Sequence, residues 1–119
     1  MLVLFYNKRG TPMVYTDDNR HIFYFTGEPI AYIHQSSLYN YDGRHLGFFK
    51  DGWIRDNNGK CVLFTKDAID GPEKIWKDIG PVISQKYNIP SEKSRENKKF
   101  ELTIRQEWSE LSVKEFFNQ

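Results

Sequence analysis

Short apolar runs alternate with polar turn clusters through the first 65 residues, and the alternation repeats. Gly10, Gly27, Gly43 and Gly59 recur at steps of 17, 16 and 16 residues. Five positions before each glycine stand Phe5, Ile22, Leu38 and Ile54; three positions after stand Met13, Ile30, Leu46 and Val62; five after stand Tyr15, Tyr32, Phe48 and Phe64. Matching apolar columns around one glycine column are the mark of an internal repeat. Each unit reads as strand, tight turn, strand. Asp42-Gly43 and Asn58-Gly59 are strong hairpin signals, and Thr26-Gly27 and Arg9-Gly10 place glycine at the same point. Thr16–Arg20, Gln35–Ser37 and Lys50–Gly52 are polar links of the kind that join one hairpin to the next. The pattern predicts eight short strands in residues 2–65. Residues two apart share a strand face, so Met13 with Tyr15, Ile30 with Tyr32, Leu46 with Phe48 and Val62 with Phe64 are expected to point into a common core. A lone hairpin is marginal in water, so four must pack around a shared axis. The expected fold is mainly β: four repeated β-hairpins in a pseudo-fourfold arrangement, with a partly helical C-terminal extension.

After Thr65 the glycine column stops. We divide the chain into a four-hairpin module at 1–70 and an extension at 71–119. Pro72 followed by Glu73–Ile79 predicts a short helix halted at Gly80-Pro81, and Val82–Tyr87 a further helical turn. Residues 88–99 have almost no apolar anchor and read as a solvated linker. Phe100–Ile104 alternates like a strand, and Ser112 followed by Glu115 is a capping-box pattern that predicts a helical turn to Phe117.

Composition narrows the function classes. The chain has 119 residues, with 17 Lys and Arg against 16 Asp and Glu, a net charge of +1. A dedicated nucleic-acid binder carries a basic footprint that this balance lacks, so no nucleic-acid partner is expected. The apolar start, Met1–Tyr6, gives way at once to Asn7-Lys8-Arg9-Gly10, too short a run for a signal core or a membrane span. With one cysteine, Cys61, no internal disulfide can form. These features predict a cytoplasmic protein with no membrane contact.

The runs Gly27–His34, Ser37–Phe49 and Gly52–Gly59 resemble the 4-fold β-flower proteins, a bacterial family, and the resemblance extends over residues 1–72 and returns at Trp108–Ser112 and Phe116-Phe117. It implies a small β assembly of four repeated hairpins in bacteria or their phages. It implies no activity, cofactor or site residue, and it lapses over 73–104.

The residues themselves offer little catalytic chemistry. His21, His34 and His45 lie in different hairpins without zinc-ligand spacing, and no glycine-rich phosphate loop or hydrolase string occurs. No metal or cofactor is expected, nor an enzyme. Asp17, Asp18, Asp42 and Asp56 sit in turns, where Asp bonds neighbouring backbone N–H groups. Two features stand out. Arg55 occupies the column that holds Tyr6, Phe23 and Tyr39 in the other units, and with Arg44, His45 and Trp53 it forms a candidate groove for a sugar or peptide. The tail presents Trp108, Leu111, Phe116 and Phe117 among charges, an amphipathic run for docking on its own β module or on a partner. The leading expectation is a non-catalytic protein-interaction or structural module, binding a protein or a second copy of itself.

Overall fold

A computed structural model describes residues 2–76, 82–98 and 101–119. Among the described residues the strands are β1 (Val3–Tyr6), β2 (Pro12–Thr16), β3 (His21–Tyr24), β4 (Pro29–His34), β5 (Ser37–Tyr39), β6 (His45–Lys50), β7 (Trp53–Asp56) and β8 (Cys61–Phe64), followed by one helix, α1 (Val113–Phe117). The strands pair antiparallel in chain order as a closed barrel, β8 returning to β1 where Phe64 meets Tyr6. The molecule is a disc of 36 × 35 × 23 Å. It is thus mainly β, an eight-stranded barrel with a short C-terminal helix.

The hairpin turns form where the sequence places small and Asx residues. At Asn7, Asn40 and Asp56 the side-chain Oδ1 accepts two backbone N–H groups from the turn that follows, at 2.9–3.0 Å. At Gly27 and Gly43 the chain adopts φ of 96° and 89°, a conformation that disfavours residues with a Cβ.

One expectation about the core is corrected. In every hairpin the register shifts by one residue just before the turn: Phe5 pairs with Val14 but Tyr6 with Pro12, Ile22 with Ala31 but Phe23 with Pro29, Leu38 with Gly47 but Tyr39 with His45, Ile54 with Leu63 but Arg55 with Cys61. The skipped residues are Met13, Ile30, Leu46 and Val62. A bulge of this kind breaks the alternation of faces. Leu46 and Val62 therefore join Val14, Ala31 and Leu63 in the barrel-interior cluster, with Met13 and Ile30 packed at its edge. Tyr15, Tyr32, Phe48 and Phe64 lie outside that cluster, so the members of each expected pair do not share a core.

Those four residues form a second layer with the neighbouring strand. Tyr15 stacks on Phe23, Tyr32 on Tyr39 and Phe64 on Tyr6, with ring centroids 5.4, 5.9 and 5.5 Å apart. In the fourth such pair Phe48 stands opposite Arg55.

The extension covers this layer, in a form the sequence did not suggest. No helix forms over 73–76 or 82–87, and 101–104 is not a strand; the parts of those expectations that fall on 77–81 and 99–100 lie outside the described residues. The 88–98 stretch has no regular structure and is largely exposed, as expected, but its backbone is tied to the barrel at Lys93 and Glu96, one of several such ties along the extension. Ser84 and Tyr87 N–H donate to Phe25 and Gly27 carbonyls at 2.9 Å, Lys93 and Glu96 to Tyr41 and Gly43 at 3.1 and 2.8 Å, and Arg105 to Gly59 at 3.4 Å. A Cβ at Gly27 would overlap the Gln85 carbonyl and one at Gly43 that of Ser94; Ile75 and Thr103 approach Gly10 and Gly59 in the same way. Lys86 lies over Phe23 and Arg95 over Tyr32 and Tyr39, 5.2–5.9 Å from the ring centres.

Helix α1 forms as the capping box predicts: Ser112 Oγ accepts from Glu115 N–H at 3.1 Å and Glu115 Oε1 from Ser112 N–H at 2.9 Å. Five residues are too few to be helical alone, and packing holds it. Val113, Phe116 and Phe117 complete the interior cluster. The Phe116 ring comes within 3.0 Å of where a Cβ would stand at Gly47, the position opposite Leu38.

Gly27→Ala is expected to lose at least about 1 kcal/mol through φ strain alone, and more because Gln85 must move. Phe116→Ala is expected to lose about 3–5 kcal/mol. Urea unfolding of each variant checks both.

Candidate functional site

The four residues singled out for the groove separate into two places. Arg55 and Trp53 are each only 1% exposed. The Arg55 guanidinium donates from Nη1 to the Gly59 and Arg105 carbonyls at 2.8 and 2.6 Å and from Nη2 to the Asp70 carbonyl at 2.6 Å. It joins a hairpin turn to the end of the hairpin module at Asp70 and to the extension at Arg105. Trp53 lies between Phe64 and Trp108, at 5.5 and 5.6 Å, and Gly71 passes so close that a Cβ there would enter the indole. Neither side chain offers a surface to a ligand.

Arg44 and His45 do come together, at the rim of β6. They line a cavity of about 240 Å³ with Asn57, Glu96 and Gln119. His45 is buried, its ring edge-on to Tyr39 and Phe48 and its Nε2 3.0 Å from Ser37 Oγ. Its backbone N–H donates to Glu96 Oε1 at 2.7 Å, and Asn57 Nδ2 donates to its carbonyl at 3.4 Å. Two buried atoms there make no hydrogen bond, His45 Nδ1 and Asn57 Oδ1. Burial holds the His45 pKa below the ordinary histidine value, against an opposing pull from Asn57 and Glu96. Sequence reasoning did not select Asn57, Glu96 or Gln119. Glu96 sits in a polar run with no pattern, and only the path of the extension brings it to β6.

The tail residues are folded onto the barrel. Trp108 packs on Trp53 and Phe64, Leu111 lies against the interior cluster, and Phe116 and Phe117 are buried. The tail is pinned by Ser109, whose Oγ donates to Asp56 Oδ2 at 2.5 Å while its N–H donates to the Cys61 carbonyl at 2.8 Å. Grooves of about 660 and 380 Å³ flank α1, the first between Tyr24, Tyr41 and Phe117, the second between Met13, Trp108 and Val113. Cys61 is buried beside the tail, and desolvation pushes its thiol up to about 11, away from nucleophilic character at neutral pH. Among the described residues no three His, Cys, Asp or Glu gather as a metal site, and no helix is long and apolar enough to cross a membrane.

Replacing Arg55 with Met removes the donor to three carbonyls and is expected to lower stability by about 3 kcal/mol or more. Arg55→Lys is expected to recover only part of this, because a single ammonium does not reproduce the guanidinium fork. Chemical denaturation of both variants reads the difference. For His45 the depressed pKa means that an unfolded chain takes up a proton, as pH falls below the usual histidine value, before the folded chain does. Stability is therefore expected to decline on acidification between about pH 7 and pH 5, and His45→Gln to flatten that decline.

Neither the curated proteins nor the solved structures contain a match to this chain. A family model described as 4-fold beta flower protein matches residues 3–117, nearly the whole length and including the stretch where the sequence resemblance lapsed. With its barrel of hairpins and its docked tail, the chain belongs to the 4-fold beta flower protein family.

Proposed function

We propose that the chain is a non-catalytic protein-interaction module of the bacterial cytoplasm, four repeated hairpins in a pseudo-fourfold arrangement whose extension carries the contact surface. The supporting observation is where apolar surface remains. Among the described residues nine large hydrophobic side chains are exposed, and eight belong to the extension and its approach: Ile69, Ile75, Trp76, Val82, Ile83, Tyr87, Ile89 and Ile104. The barrel strands expose none of these eight, and the tail residues first considered for a partner are spent on the chain's own core. Scattered apolar residues are normal on any surface, but concentration on one segment marks a contact site. Tyr87 and Trp76 are also of the residue types that anchor interfaces. The equivalent bulges of the four hairpins, and the extension's approach to each turn glycine, support the pseudo-fourfold reading.

A photo-activated cross-linking residue at Val82 or Tyr87, 87% and 64% exposed, is expected to give a discrete protein adduct in cells, and one at exposed Lys50 none. An adduct of twice the chain's mass identifies the partner as a second copy. Equal labelling at all three positions, or none at any, contradicts the proposal.

A further inference from the structure

The two residues before each turn glycine set the first hairpin apart. Phe25-Thr26, Tyr41-Asp42 and Asn57-Asn58 hold one charge among them, an acidic one, whereas the first turn carries Lys8-Arg9. Both of these side chains are exposed, and neither makes a hydrogen bond or ion pair among the described residues; the bond from Arg9 to Asn7 Oδ1 comes from its backbone N–H. The ammonium of Lys114, an exposed residue of α1, makes none among them either. These three cations border the groove of about 380 Å³ between the first hairpin and the tail, over an apolar floor of Met13, Leu111 and Val113. Met13 and Leu111 are only half-buried. Two carboxylates border the groove as well, but Glu110 is paired with Lys60, and Glu115 accepts the Ser112 N–H at 2.9 Å. The charge left over is positive, and it stands beside apolar surface that is still open to water.

We propose that this groove binds an aliphatic carboxylate, a medium-chain fatty-acid anion whose chain lies on the apolar floor and whose head meets Lys8 and Arg9. The planar Arg9 fork suits the two oxygens of a carboxylate, and Lys8 and Lys114 add point charges of the same sign. The chain removes Met13 and Leu111 from water, which is the favourable part of binding that a bare anion lacks. A neutral chain forgoes the cations, a small anion forgoes the floor, and a cationic amphiphile meets three like charges. The volume stands at the lower end of the range of about 300–1,000 Å³ for small-molecule sites, room for one chain rather than a whole lipid. This site is separate from the apolar surface at 69–89 and independent of whatever protein docks there.

The test is an NMR titration of the full chain with octanoate below its micelle concentration, reading the Met13 and Leu111 methyl signals, with Val82 as the reporter of the other apolar surface. Octan-1-ol and octylammonium, which keep the chain and change the head, and acetate, which keeps the head and drops the chain, form the control arms. Saturable shifts at Met13 and Leu111 are expected with octanoate, weakening as salt is added, and only weak, non-saturating ones with the other three. The double substitution Lys8→Gln, Arg9→Gln is expected to weaken octanoate binding about tenfold or more. Both positions are exposed and their side chains unbonded among the described residues, so the fold is retained while the charge is lost. Lys50→Gln, which removes an exposed cation at the end of β6, is expected to leave binding unchanged. Octan-1-ol, octylammonium or acetate binding as tightly as octanoate, equal affinity in the double variant, saturable shifts at Val82 but not at Met13, or no saturable shift at all overturns the proposal.

Discussion

A carbonyl can rest on a hairpin turn only where no Cβ stands in its way, and this close approach organises the molecule. Gln85 and Ser94 lie directly against Gly27 and Gly43, with Ile75 and Thr103 in the same relation to Gly10 and Gly59. The glycines that let each turn adopt positive φ thereby also admit a second chain segment onto it. Once seated, that segment donates its N–H groups to the turn carbonyls, Tyr87 to Gly27 and Glu96 to Gly43. A polar stretch that could not bury enough apolar surface to order itself is ordered by the barrel's backbone.

The barrel depends on the extension in return. Its strands are short and bury apolar residues on both faces, the interior cluster on one and the stacked Tyr and Phe pairs on the other. Without the extension, Phe23 would lose the cover of Lys86, Tyr32 and Tyr39 that of Arg95, and Phe64 that of Trp108. Arg55 shows the dependence most sharply. A guanidinium in an aromatic column is a buried charge, and two of the three carbonyls that satisfy it come from beyond the hairpins, at Asp70 and Arg105. Its neighbour Asp56 binds the tail through Ser109, so β7 holds the chain just before the extension, at Asp70, and again within it, at Arg105 and Ser109.

Legibility in the sequence followed from how each element is stabilised. The strands and turns were readable because glycine spacing and apolar columns are local signals, and the helix because Ser112 and Glu115 cap each other. The facing of the columns was not, since a bulge leaves no mark beyond one residue too many between Tyr6 and Val14 or between Arg55 and Leu63. The extension was misread for a different reason. Its bonds run from main chain to main chain, which side-chain pattern does not encode, and its own recurrence at Ile75, Gln85, Ser94 and Thr103 involves four unlike residues. The site was half visible. Arg44 and His45 follow a recognisable turn, whereas Glu96 reaches them from 51 residues away. Arg55 was conspicuous as the charge that broke a column, but its partners are carbonyls, which have no sequence signature.

The central claim, that the extension is an integral layer of the fold, is tested most directly by native-state amide hydrogen exchange on the full chain. The account predicts that the amides of Ser84, Tyr87, Lys93 and Glu96 are protected and exchange through the same opening as those of the barrel strands, with the same dependence on denaturant. Exchange of these four amides at unprotected rates, while the strand amides stay protected, would contradict it.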